Sequence, residues 1–447
     1  MKRKIIGLCV GLLTFAMLAG CGAKVEEVPE GSNQKESELY DKEQPDTEPT
    51  EVPEKEGEAV KVVNLTAQND TDICIDYEIL GYEPVQKFSY ELFKQNIEAD
   101  NPVLSPVSAY LALALTGVGA QGETLEEFQE VLADLECIPN DLMTNLPREE
   151  EGMRITLANS AWIDNRLTAK TDWLAVADSI YKAEVFQTQL ASQDTMQDMN
   201  HWVSEKTEGL IPTLLSEPLD EMARLALLNT IYFKGEWKRE FLESATAERE
   251  FTLADGTVEM VEMMQQMDKN QLYVKNDVAE GVILPYKDES MALVALKPAD
   301  GKSVREMYEQ LTIEEIHGFL EQEETTLCNL RLPKFEIEFS KNLNDSLQAM
   351  GLEAAFVEGK ADFSGLGTLD TEEGLYIDLV FQKAVVIVDE QGTEAAAVTA
   401  VMMNTTACIT DRQLPIDIYF DEPFLYMIMD RVREVPLFIG IMDNPNA

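Results

Sequence analysis

Few residues in this chain have the type and spacing to do chemistry. Only two histidines occur in 447 residues, His201 and His317, so a Ser-His-Asp triad would have to use one of them. His201 sits beside Trp202 in a helical context and His317 lies in a Glu-rich helical stretch, which suits structural roles, and no GxSxG elbow is present. Gly117-Val118-Gly119-Ala120-Gln121-Gly122 matches GxGxxG, but it follows an apolar helix, whereas a dinucleotide fingerprint follows a strand and opens a helix. Those glycines read as a turn, with Glu123-Thr124 starting another helix. Cys74, Cys137, Cys328 and Cys408 lack CxxC spacing and neighbouring histidines, which argues against zinc and leaves them as thiols. No cofactor or metal is expected, and a catalyst is the weak hypothesis.

The remaining two of six cysteines lie at the N-terminus. Lys2-Arg3-Lys4, an apolar run over 5–18 and small residues afterwards form an export signal. That run is shorter than the ~20 apolar residues of a membrane-spanning helix. Leu18-Ala19-Gly20-Cys21 resembles the lipobox of bacterial lipoproteins, which implies cleavage before Cys21 and lipidation of its thiol, with Cys9 removed in the signal; an ordinary secretory signal with an incidental cysteine is the alternative. Two or three acyl chains anchor stably where one is marginal. Residues 22–60 carry 13 acidic and 4 basic side chains with almost no large apolar groups, so they cannot offset their ordering entropy and extend as a tether. The division is then 1–20 signal peptide, 21–60 lipidated cysteine and acidic tether, 61–81 lead-in segment, and 82–447 folded domain. The formal charge of -48 argues against nucleic acid as a partner.

Near the C-terminus, 384–388 is strand-like, Asp389-Glu390-Gln391-Gly392 follows, and then come small, uncharged residues where another bulky strand would be ordinary. One reading makes 393–403 a short Ala-rich helix capped by Thr393. The other makes it a mobile loop able to become a strand, with Thr393, Ala395, Ala397, Thr399, Val401 and Met403 on one face. Glu394, Ala396, Val398, Ala400 and Met402 then share the other face, and only Glu394 resists burial in a sheet.

The elements upstream must position that strip. Residues 84–97 have helical spacing through Val85, Phe88, Leu92, Phe93 and Ile97, and Ser105-Pro106 begins a helix buried on nearly all sides over 107–115. Asn101, Ser105-Pro106, Ser108 and Gly119 to Thr124 resemble the helix-B region of the serpin (serine protease inhibitor) family. Leu157-Ala158-Asn159-Ser160-Ala161-Trp162 resembles the strand after its helix E, 200–215 the segment after helix F, and 228–237 a central sheet strand. Leu332-Pro333-Lys334-Phe335, Met350-Gly351-Leu352, 361–365, Asp421 to Phe424 and 436–440 continue the likeness in order, over about residues 82–445. The resemblance implies an α+β serpin fold: a large, mostly antiparallel main sheet, two further sheets, about eight or nine helices, and an exposed reactive-centre loop.

It further implies irreversible suicide inhibition of a protease that attacks the loop, or else a non-inhibitory serpin acting as a surface binding protein. The hinge would be Glu390, Gly392, Thr393, Glu394, Ala395, Ala396, Ala397, Val398 and Thr399, small enough for an inhibitory member. Family spacing counts the cleaved residue as the seventeenth from Glu390, giving Thr406-Ala407, with Met403-Asn404, Thr405-Thr406 and Ala407-Cys408 as alternatives. No Lys or Arg lies between Gly392 and Asp411, so the implied partners are elastase-like, subtilisin-like or papain-like proteases rather than trypsin-like ones. Ser105, Ser108, Asn229 and Gln382 match the polar shutter beneath the sheet, and Trp237 the aromatic at the breach. The implied protein is a monomer anchored outside the cell membrane through Cys21. Gln382 stands where many members carry His, and an amide cannot take up a proton. The insertion rate is therefore expected to be less pH-sensitive than with His at this position; a rate that changes sharply between about pH 5 and 7 would contradict this.

Overall fold

A computed structural model of the chain describes residues 61–68, 81–299, 301–369, 374–393 and 414–447. The signal, Cys21, the tether, Cys74, Cys408, the hinge residues from Glu394 to Thr399 and every proposed scissile bond lie outside the described residues.

The main sheet has eight strands. Its order runs Val63–Asn64, Glu184–Thr188, Met153–Asp164, Leu225–Glu236, Gly392–Thr393, Phe381–Val388, Phe335–Asn342, with Arg148–Glu150 also on Met153–Asp164. All pairings are antiparallel except that of Glu184–Thr188 with Met153–Asp164. A nine-stranded second sheet is joined by the long strand Val258–Lys275, and a two-stranded one pairs Gly367–Leu369 with Leu167–Ala169. Nine α-helices occur among the described residues, in keeping with the α+β architecture expected. Residues 63 and 64 of the lead-in segment edge the main sheet against Gln187 and Phe186.

Local sequence explains the elements that matter for the site. Helix Pro106–Gly117 begins with proline, whose fixed φ suits the first turn, and is apolar almost all round because it lies between the sheets, against Leu225–Glu236 and Val435–Met442. The glycine run is a turn between that helix and Gly122–Leu132. A Cβ at Gly119 would collide with Leu366, so the turn demands glycine for packing. Two expectations shift in register. Strand Met153–Asp164 lies between the fourth and fifth helices rather than after the fifth, and residues 200–206 belong to helix Gln193–Lys206 itself.

The C-terminal hairpin Phe424–Asp430 and Val435–Met442 is buried at every position. Its turn carries Arg433, which reaches Asp141 and Asp430 at 2.9 Å each. Burial alone would raise the Asp141 carboxyl, but hydrogen bonds from Tyr82, Arg433 and Asn145 outweigh it and hold the group below its ordinary value. That stabilisation is present above the ordinary carboxylate pKa and is lost as pH falls through the depressed one. Arg433→Met strands both carboxylates and is expected to cost about 3 kcal/mol in urea unfolding at neutral pH, with Asp141→Asn costing less. A loss below about 1 kcal/mol for Arg433→Met would show that the cluster contributes little.

Candidate functional site

The site begins where strand Phe381–Val388 turns over into Gly392–Thr393. Asp389 makes the turn: its Oδ1 accepts the amides of Gln391 at 2.8 Å and Gly392 at 3.1 Å, the local trapping that favours Asp in turns. The short strand then enters the main sheet. Gly392 and Thr393 pair with Glu236 and Gly235 on one side, and Thr393 pairs with Val388 on the other. Thr393 is therefore a strand residue, and the rest of the 393–403 stretch that could form a helix lies outside the described residues. Gly392 is required here because a Cβ would collide with the carbonyl oxygen of Gly235.

Both pairings of the short strand are antiparallel, so Leu225–Glu236 and Phe381–Val388 run parallel to each other across it. Among the described residues, the facing edges of those two strands pair with nothing else.

The Thr393 side chain points into the protein. It is 3% exposed, and its hydroxyl meets the Tyr286 phenol at 2.6 Å. Burial raises the Tyr286 phenol well above its ordinary value, which keeps it neutral and able to donate or accept. Its ring stacks on Trp237 at 4.7 Å between centroids.

Trp237, matched to the breach by resemblance, holds this turn. Its indole Nε1 donates to the Asp389 carbonyl at 2.9 Å, its backbone amide donates to the Gln391 carbonyl at 2.8 Å, and the Phe241 amide donates to the Glu390 carbonyl at 2.8 Å. The Glu390 carboxylate accepts from Thr246 at 2.7 Å and Lys334 at 3.1 Å. Burial opposes its ionisation, yet the Thr246 hydroxyl and the Lys334 ammonium bring it below the ordinary value. Asp389 goes the other way, raised by burial despite two amide donors.

Further along the same edges lie the residues matched to the shutter by resemblance. Gln382 pairs with the backbone of Ser105 in both directions, Nε2 donating to its carbonyl at 2.8 Å and Oε1 accepting its amide at 3.0 Å. The Ser105 hydroxyl itself is buried without a partner among the described residues. Ser108 donates to the Asn229 carbonyl at 3.3 Å and to its side-chain oxygen, and Asn229 donates to Asn159, which donates to the Tyr181 carbonyl at 2.8 Å. Ser108, Asn229 and Gln382 line one cavity of about 30 Å³. No hydrogen bond joins Asn229 to Gln382 among the described residues.

The structure thus brings together Glu390, Gly392, Thr393 and Trp237 at one end, and Ser105, Ser108, Asn229 and Gln382 at the other. Asn159, Tyr286, Thr246 and Asp389 were not singled out from sequence. Asn159 lies in a strand that also holds Arg154, Thr156, Ser160 and Asp164, so its polarity alone does not mark it.

Elsewhere the chemistry stays inert. His201 is exposed on helix Gln193–Lys206, and His317 Nδ1 faces Glu434 at 3.2 Å; neither meets a serine among the described residues. Cys137 and Cys328 are free thiols, and burial pushes Cys328 up to about 11.

Comparison with known proteins gives a consistent answer. Residues 83–445 match the serpin (serine protease inhibitor) family. A serpin-like protein of Thermococcus kodakarensis is 31% identical over 376 residues, covering 81% of this chain and 85% of that one. Leukocyte elastase inhibitor of Homo sapiens is 30% identical over 378 residues, covering 80% of this chain and 98% of its own. The crystal structure of tengpin, a thermophilic serpin, in the native state superposes with a TM-score of 0.79 at 32% identity, covering 86% of this chain and all of that one. With the family matched over residues 83–445 and relatives about 30% identical along most of both chains, this protein belongs to the serpin family.

Proposed function

We propose that this serpin is a suicide-type inhibitor of extracellular serine proteases, with papain-like cysteine proteases as a further target class. The observation that carries the reading is the two-residue strand Gly392–Thr393, which already opens an antiparallel position between two parallel strands. Extending its register by two residues at a time sets Ala395 opposite Phe233 and Val386, Ala397 opposite Ile231 and Ala384, and Thr399 opposite Asn229 and Gln382. The inward face set by Thr393 then receives only Thr, Ala, Val and Met, and Glu394 falls on the outer face. Thr399 arrives at the shutter, where buried amides can receive its hydroxyl.

In the proposed sequence the protease hydroxyl attacks the Thr406 carbonyl carbon, the Thr406–Ala407 bond breaks, and the Ala407 amine leaves with the proton. Residues 392–406 span roughly 50 Å when extended. Their insertion carries the acyl-linked protease that far before water resolves the ester. Catalytic geometry tolerates displacements of only about 1 Å, so deacylation stalls. Each edge group that gains a ladder partner lowers the free energy of the inserted state by about 1 kcal/mol. Small residues around 403–407, and the relative named for inhibiting leukocyte elastase, favour an elastase-like or subtilisin-like target. The lipobox-like Leu18 to Cys21 places the inhibitor on the outside of a bacterial membrane; replacing Cys21 by Ser is expected to move it from the membrane fraction to the soluble one, and unchanged partition would reject the anchor.

Mixing with elastase, subtilisin or papain is expected to give a complex with at least one of them, stable to SDS for the serine enzymes, and mass spectrometry of the released C-terminal peptide fixes the bond. Cleavage of the loop with full retention of protease activity would instead support a non-inhibitory binding protein. Thr393→Arg places a cation against the buried Tyr286 and is expected to turn the inhibitor into a substrate; undiminished inhibition would refute insertion. Gly392→Val blocks only the packing of the short strand against Gly235. It is expected to lower the fraction of encounters ending in complex, with the same bond still cleaved.

A further inference from the structure

Trp237 and Phe241 also line a cavity of about 470 Å³. Its walls come from the 237–241 segment, strands Val258–Lys275 and Ala279–Pro285, and the turn after helix Ile313–Leu320. The volume lies within the range of about 300–1,000 Å³ typical of small-molecule sites. One wall is apolar, formed by Phe241, Leu272, Ile283 and Leu284.

The charges facing the cavity are uneven. Lys238 is matched by Glu289 at 2.6 Å, and Glu323 is exposed at the rim. Arg239 donates only to the Asn270 carbonyl, at 2.5 Å, and Arg431 donates to the carbonyls of Glu289 and Leu320 at 3.2 Å each. Neither guanidinium forms an ion pair among the described residues. Arg148, Arg305 and Arg433 each face an aspartate instead. Two guanidinium groups beside an apolar wall suit a carboxylate, sulfonate or phosphate on a hydrophobic body.

The cavity floor is wired to the hinge. Gln271 is buried, and its Nε2 donates to Gln266 Oε1 at 2.8 Å. Gln266 donates in turn to the carbonyls of Arg239 at 3.1 Å and Glu240 at 3.2 Å. The amide on the other side of that last peptide, Phe241 N–H, donates to the Glu390 carbonyl at 2.8 Å. Donors and acceptors thus align from cavity to hinge, and each bond polarises the next.

We propose that this cavity binds a small amphipathic anion, and that its occupancy is transmitted through Gln271, Gln266 and the 240–241 peptide to the Asp389–Thr393 hinge. The coupling half rests on the hinge reading given above, whereas the binding half does not. Neither measurement below uses a protease, so a failure of the inhibitor reading leaves both readouts intact.

The probe is 8-anilinonaphthalene-1-sulfonate, an anion on an aromatic body, titrated into the full chain and followed by fluorescence. One saturable site per chain is expected. Arg239→Gln, at an exposed position, weakens it about tenfold; Gln322→Trp, which fills the mouth, abolishes it. Unchanged affinity and stoichiometry in both variants would overturn the site and assign the signal to exposed apolar surface. At saturation, hydrogen exchange over 237–241 and 389–393 slows at least about threefold, and Gln266→Met keeps the binding while losing the slowing. Exchange that ignores the bound probe would overturn the coupling.

Discussion

Everything here depends on a backbone constraint: two parallel strands, Leu225–Glu236 and Phe381–Val388, share one antiparallel partner that is two residues long. Amides and carbonyls along a sheet edge need partners wherever water does not supply them. An antiparallel strand laid between the two would supply both edges at once. A chain of small residues follows directly on that partner, so the segment best placed to fill the position is the one already begun. The composition of 393–403, odd for an exposed loop, is what such a position demands.

The breach explains why the hinge is a pivot and not a free end. Trp237 and Phe241 hold the carbonyls of Asp389, Glu390 and Gln391, and none of those bonds involves a residue beyond Thr393. The proposed insertion of the following residues would therefore leave these bonds intact. The two acidic side chains of the turn respond oppositely to the same low-dielectric surroundings. Glu390 has Lys334 and Thr246, and its ionised form is favoured; its contribution is present above the ordinary carboxylate pKa and is lost as pH falls through the depressed value. Asp389 has two backbone donors but, among the described residues, no cation at hydrogen-bond distance, and burial wins. Its contribution is complete below the ordinary value and is lost as pH rises through the raised one.

Much of this was legible before any coordinates. Ser105-Pro106 announced a helix start, the glycines at 117–122 a turn, and the order of motifs a whole fold, because each rests on local backbone chemistry or on a long series of ordered matches. The partners of the hinge were not legible. Tyr286 and Lys334 lie 107 and 56 residues from their partners, and no periodicity links positions that meet only through sheet topology. Ser105 shows a subtler limit: its backbone is bound by Gln382, while its hydroxyl makes no bond among the described residues. The pairing of the cavity's guanidinium groups is equally invisible in sequence, since charge matching is a property of neighbours.

The shutter shows how a glutamine can serve where a histidine is common. Asn229 is tied to Ser108 and Gln382 to Ser105, so both strands are anchored to the first turn of one helix, Pro106–Gly117, and not to each other. Admitting a strand between them requires roughly 9–10 Å, two ladder spacings. Had the side chains of Asn229 and Gln382 been bonded directly, each insertion would have had to break a buried hydrogen bond, at a cost of about 1–3 kcal/mol until the newcomer replaced it. Anchoring each side separately removes that step. In the proposed insertion the helix turn would act as a spacer whose own bonds persist, and an amide at Gln382 would leave no protonation event at this level.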